Sequence, residues 1–158
     1  MAKETKLVSA LQIPDTSTAY NTVSAGLGIK IAAPERPVVS CNGDGAMGMV
    51  LAELSTAVDN NINTTTIVFY NGSWGAEKSY QKDFFSERYI GADVSSPQFD
   101  KVAELYGCKG YKVEKVSEIK DAVDDSLNCG KPAVIDVAVD PNALYSFRRD
   151  SFEHKIKN

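Results

Sequence analysis

The chain has 158 residues, enough for one domain with its own hydrophobic core. Its 17 basic and 21 acidic side chains leave a net charge of −4, with no basic surface of the kind nucleic acid requires. No uncharged apolar run approaches the roughly 18–20 residues of a membrane span, and the opening residues lack the apolar stretch of a secretory signal.

In chain order, Tyr20, Val23, Leu27 and Ile31 recur at helical spacing behind candidate caps at Ser17 and Thr18, and Pro34 stops that helix. Pro37 to Cys41 reads as a short buried strand. Met47, Val50, Leu51, Leu54 and Val58 mark a second amphipathic helix. Thr64 to Tyr70 is the clearest strand, β-branched or aromatic throughout and bounded by Asn63 and Asn71-Gly72. After a loop come a helix around Phe99, Val102, Ala103 and Tyr106, stopped by Gly107, and a short strand from Tyr111 to Val113. A helix from Ser117 to Asn128, stopped by Gly130, leads to the strand Ala133 to Val139. Strands alternating with helices predict an α/β fold: a doubly wound, mainly parallel sheet with helices on both faces, formed as one domain over 1–158. Near-continuous apolar strands suit a sheet covered on both sides.

Cys41, Cys108 and Cys129 make neither a metal-binding pair nor a disulfide framework, and read as reduced thiols of a cytoplasmic protein. His154, the sole histidine, stands in a charged tail, which argues against histidine-based catalysis and a typical zinc site.

Two strand ends carry unusual residues, and in doubly wound sheets ligands bind beyond the carboxyl ends of strands. The first runs into Gly43-Asp44-Gly45-Ala46 and opens onto a helix; the next runs into Asn71-Gly72-Ser73-Trp74-Gly75. The glycines allow a sharp turn and close backbone approach, and a helix N-terminus offers N–H groups to an anion such as a phosphate. Asp44 puts a negative charge in the same place, which makes sense with a hard cation such as Mg²⁺ between carboxylate and diphosphate. Asn71, 27 residues on, is about one strand–helix–strand unit away and would add an oxygen ligand, with a carbonyl near Ser73. The competing reading is two plain turns, since Asp-Gly and Asn-Gly are common turn dipeptides.

Gly43-Asp44-Gly45, followed after 25 residues by Asn71, resembles the signature of thiamine-diphosphate-dependent enzymes, which begins Gly-Asp-Gly and ends Asn-Asn. The resemblance covers about residues 17 to 150 and implies the diphosphate-binding domain of such an enzyme. It implies Asp44 and Asn71 as side-chain Mg²⁺ ligands, Ser73 as a ligand through its carbonyl, and Gly43, Gly45 and Ala46 against the diphosphate, with Trp74 beside the cofactor as a loop anchor. Tyr70 replaces the first Asn of the closing pair. Within the family, Trp74-Gly-Ala-Glu-Lys78 with Gln81, Asp83-Phe84, Arg88-Tyr89 and the late Phe147-Arg148-Arg149-Asp150 is most similar to the sulfoacetaldehyde acetyltransferases. These enzymes use thiamine diphosphate and Mg²⁺ to convert sulfoacetaldehyde and phosphate to acetyl phosphate and sulfite. Sulfopyruvate and phosphonopyruvate decarboxylases are the alternatives, as is a non-catalytic module of the same fold.

Glu77 has two readings: a catalytic acid in a covered pocket, or an exposed helix-start glutamate paired with Lys78 or Lys82. Arg148 and Arg149 are either a planar-donor grip for a sulfonate or phosphate or a solvated tail pair. Glu53 reads as structural. In this family a glutamate from a separate pyrimidine-binding domain, usually on a partner subunit, activates the cofactor. The chain is therefore expected to be a C-terminal portion or one subunit of a larger oligomeric enzyme.

Overall fold

A computed structural model describes residues 21–144. The caps expected at Ser17 and Thr18, the Arg148-Arg149 pair and His154 lie outside the described residues. Ten elements follow in order: α1 (Thr22–Ala32), β1 (Val39–Gly43), α2 (Asp44–Met49), α3 (Glu53–Asp59), β2 (Thr65–Tyr70), α4 (Gly75–Phe84), α5 (Phe99–Leu105), β3 (Lys109–Val113), α6 (Val116–Asn128) and β4 (Ala133–Ala138). The four strands form one sheet in the order β1-β2-β4-β3, every pairing parallel.

The connections explain the two layers. The chain steps in one direction across the sheet through α2 and α3, and again through α4 and α5, then steps back once through α6. Right-handed crossovers require a reversed step to use the opposite face. Accordingly Val23, Met47, Leu54, Phe99 and Ala103 build the main core against Val68 and Val134 on one face. On the other, Ile119, Ala122 and Val123 of α6 pack over Val113, Ile135 and Val137. This second layer covers β3 and β4, whereas Cys41 on the β1 edge and Phe69 on β2 stay exposed. β4, between two neighbours, is buried from Ala133 to Val137.

Three local differences from expectation have physical causes. β1 runs two residues further than the apolar run, because Asn42 and Gly43 continue the ladder to Val68 and Phe69. The expected helix over Met47–Val58 is broken at residues 50–52, where Val50, Glu53, Leu54 and Ser55 donate to carbonyls three residues back. Gly45 and Gly48 weaken the first half, and the tighter turn lets both Met47 and Leu54 enter the same core. α4 gives a full helix over Gly75–Phe84, where the sequence offered only a helix start as one reading of Glu77. Its apolar signal is confined to Tyr80 and Phe84, whose rings meet at 4.8 Å one turn apart.

All three cysteines are free; Cys108 is buried in the main core, where desolvation pushes its thiol up to about 11.

Gly110 marks the tightest packing between α5 and β3. A Cβ there would stand 2.1 Å from the Asp100 carbonyl oxygen, a backbone atom that cannot step aside without moving α5. Gly110→Ala is expected to destabilise the chain by roughly 1–3 kcal/mol in urea unfolding, whereas Gly130→Asn, at an open left-handed position, should cost well under ~1 kcal/mol.

Candidate functional site

The parallel register brings two strand ends to one corner. Gly43 lies level with Phe69, so Asp44 at the start of α2 stands beside the segment that leaves β2 at Asn71. The expected sharp turn at Gly43-Asp44-Gly45 is replaced by direct passage from strand to helix: Gly43 is extended (φ −79°, ψ 160°), and neither it nor Gly45 takes positive φ. The glycines matter for space instead. A Cβ on Gly43 would meet nothing within 4 Å, whereas on Gly45 it would fall 2.7 Å from the Trp74 ring.

Asp44 is the buried charge of this corner, with 1% of its surface exposed. Its Oδ2 accepts hydrogen bonds from the Gly72 N–H (2.8 Å) and the Ser96 hydroxyl (3.1 Å). Both donors fall on one oxygen, and Oδ1 accepts none among the described residues. Asn71 closes an Asx turn, its Oδ1 accepting from the Ser73 N–H (3.0 Å) and Ser73 hydroxyl (3.1 Å). Gly72 follows at φ +68°, a conformation that glycine adopts without strain. Beyond it the chain is tied to the loop before α5: Trp74 N–H donates to the Ala92 carbonyl (2.8 Å) and Val94 N–H to the Gly72 carbonyl (2.9 Å). The buried Ser73 lies between these two bonds, opposite Asp93.

These oxygens suit a hard cation better than a soft one. Asp44 Oδ1, the Asn71 amide oxygen and the Ser73 carbonyl are oxygen donors that this corner could offer, with a single carboxylate among them. Among the described residues no group of three His, Cys, Asp or Glu side chains could hold a metal. One carboxylate leaves a divalent ion half-neutralised, so an anionic ligand such as a diphosphate would balance it. Ligation by Asn71 would draw on the oxygen that now closes the Asx turn.

The other predicted residues divide. Ala46 is buried in α2, and the half-buried Trp74 packs its ring on Gly45, tying the loop after β2 to α2. Glu77 is exposed in the first turn of α4 and makes no ion pair among the described residues. The pairing with Lys78 or Lys82 expected of an exposed helix-start glutamate is absent; Lys78 turns instead to Asp93 (2.6 Å), with its ammonium 5.6 Å from the Tyr89 ring centre. Glu53 opens α3, half-buried.

Two residues at the corner escaped the sequence reading. Ser96 touches Asp44 across 52 positions of sequence, a tertiary contact with no local pattern to signal it. Asn42, 4% exposed, buries both side-chain amide atoms without a partner; its placement one residue before Gly43-Asp44-Gly45 was the available signal.

Residues 16–137 match the family model described as thiamine pyrophosphate enzyme, C-terminal TPP binding domain. The chain is 36% identical over 135 residues to the sulfoacetaldehyde acetyltransferase of Castellaniella defragrans, an alignment covering 83% of this chain and 23% of that protein. It is 32% identical over 123 residues to a probable acetolactate synthase large subunit of Methanococcus aeolicus, covering 77% and 20%. Among solved structures, the thiamine diphosphate-dependent 4-hydroxybenzoylformate decarboxylase of Rhodococcus jostii RHA1 superposes with a TM-score of 0.72 at 27% identity, covering 77% of this chain and 23% of that one. The chain thus spans less than a quarter of the length of each of these relatives.

Trp74 is the only tryptophan, so its emission reports this corner alone. Gly45→Ala should expel the ring from its seat on α2 and shift the emission to the red, with far-UV circular dichroism unchanged. An unaltered spectrum would mean that α2 can move instead of Trp74.

Proposed function

We infer the function from one premise: the chain belongs to the thiamine pyrophosphate enzymes and carries their C-terminal TPP binding domain. In our reading residues 1–158 form a single cofactor-binding domain. Asp44 and Asn71 hold Mg²⁺ through their side-chain oxygens and Ser73 holds it through its carbonyl. Gly43, Gly45 and Ala46 lie against the diphosphate, where a bare backbone and the first N–H groups of α2 can approach it, and Trp74 braces them from outside. The observation that carries this reading is the one-sided bonding of Asp44: both donors occupy Oδ2, and Oδ1 is left to a cation.

When bound, thiamine diphosphate supplies a carbanion-stabilising centre for cleavage next to a carbonyl group. This chain's contribution is to hold the diphosphate end in one orientation. Burial of Asp44 strengthens its attraction for a cation, because little water competes at a carboxylate so enclosed. Glu77, exposed on α4, would handle protons only under cover from another domain. Arg148 and Arg149 are proposed for the sulfonate or phosphate of the substrate.

The activity we propose is that of a sulfoacetaldehyde acetyltransferase, forming acetyl phosphate and sulfite from sulfoacetaldehyde and phosphate. It is supported by Trp74-Gly-Ala-Glu-Lys78 and by 36% and 35% identity to two proteins of that name. The likeness to a decarboxylase structure favours a second reading, a sulfopyruvate- or phosphonopyruvate-type decarboxylase subunit. In either case the site is completed by a pyrimidine-binding domain or subunit in an oligomer, in the cytoplasm. No helix among the described residues is long and apolar enough to cross a membrane.

Thiamine diphosphate should raise the melting temperature in Mg²⁺ and not in EDTA, since Asp44 repels the diphosphate without a cation between them. Asp44→Ala and Asn71→Ala should each remove the shift while leaving the apo protein folded. An equal shift in EDTA would defeat the metal bridge. With a pyrimidine-domain partner, cofactor binding should tighten, and sulfite should be released from sulfoacetaldehyde in phosphate. An assembly that instead decarboxylates sulfopyruvate would move the assignment to the second reading.

A further inference from the structure

We propose that Tyr70 is a positioning residue, which holds the Asp44 carboxylate in place through Ser96. The inference rests on the reading of Asp44 as a metal ligand and adds what fixes its orientation.

Alternation along β2 sends Val68 and Tyr70 to the face of the main core, and Phe69 to the other. Tyr70 packs half-buried against that core, and its hydroxyl donates to the Ser96 carbonyl at 3.4 Å. Ser96 in turn donates its own hydroxyl to Asp44 Oδ2 at 3.1 Å. One residue is thus gripped at its carbonyl by the sheet and reaches the carboxylate with its side chain. The bond from Tyr70 is long, but its ring is well fixed. Lys112 lies with Nζ 5.5 Å from the ring centre, and the same ammonium pairs with the fully buried Asp136 at 3.3 Å. Asp136 also accepts the Phe99 N–H (3.0 Å) at the start of α5, which pins the far end of the same loop. Its near end is pinned at Ala92 and Val94. Ser96 is the point between these anchors at which the loop touches Asp44.

A carboxylate can turn about its terminal torsion and present either oxygen. Two donors on Oδ2 settle which oxygen faces outward, and one of those donors depends on where the loop places Ser96. The asparagine that opens the closing pair of the resembled signature is too short to reach as a tyrosine hydroxyl does, so this support belongs to the tyrosine at position 70.

The test compares Tyr70→Phe, which keeps the ring and removes only the hydroxyl, with Ser96→Ala and the double variant in the full chain. Amide hydrogen exchange without any ligand is the first readout, and Mg²⁺-dependent thiamine diphosphate affinity by calorimetry the second. Tyr70→Phe should speed exchange at Gly72 by about three- to tenfold and weaken cofactor binding by a similar factor. Exchange at Val134 in the central strand should be unchanged, which separates a local effect from lost stability. The double variant should be no worse than Ser96→Ala alone, because both changes act along one path. Unaltered Gly72 exchange and affinity in Tyr70→Phe, or effects that multiply in the double variant, would overturn the proposal. If Asp44→Ala leaves cofactor affinity intact, the metal-ligand reading fails, and the exchange measurement alone decides whether Tyr70 holds the carboxylate.

Discussion

A carboxylate almost wholly withdrawn from water, with both of its hydrogen bonds on one oxygen, is the constraint around which this corner is built. Burying a charge is costly unless it is well bonded, and the donors here come from two loops that nothing local would bring together. The Gly72 N–H is available because the chain turns at positive φ just past β2. The Ser96 hydroxyl is available because the loop before α5 is laced to residues 72–74. The parallel pairing of β1 with β2 then brings Asp44 beside the segment that leaves β2. Shifting that register by one residue would turn the buried Asn42 and Ser40 to the opposite face and carry Asp44 away from its donors.

The surroundings of the corner are organised to keep it asymmetric. Gly43 leaves open space on one side, and Trp74 fills the other against Gly45. Space is thus open at Gly43 and closed by an aromatic ring at Gly45, two residues further on. The chain spans less than a quarter of its relatives' length, and what it carries is their C-terminal TPP binding domain.

How much of this was legible in the sequence depended on the range of the forces involved. β2, α6 and β4 were readable because their apolar periodicity and their Gly or Asn stops lie within a few residues of one another. The corner residues Asp44 and Asn71 were readable because a motif spacing encodes one crossover. The extent of β1 was not, because Asn42 and Gly43 have poor strand propensity and are held there by their neighbours in the ladder. The span of α4 was not readable because, of its residues, only Ser79 is fully buried, so little apolar patterning is needed to keep it in place. The break between α2 and α3 was hidden by side chains that suit one continuous amphipathic helix; the glycines at 45 and 48 were the clue. Ser96 and the turn of Lys78 away from Glu77 are long-range contacts, which periodicity does not record.

The uneven covering of the sheet has a consequence for how the molecule comes apart. β4 is enclosed by strands on both sides and by helices above and below, whereas β1 is an edge strand whose Cys41 lies open to solvent. Local opening begins where burial is least, so the edge strands β1 and β3 are expected to open before the enclosed β4. The corner at Asp44 follows directly on β1 and so lies at one of those edges. A ligand seated across that corner would tie the end of β1 to the segment after β2 and so oppose the opening of this edge, by ordinary linkage.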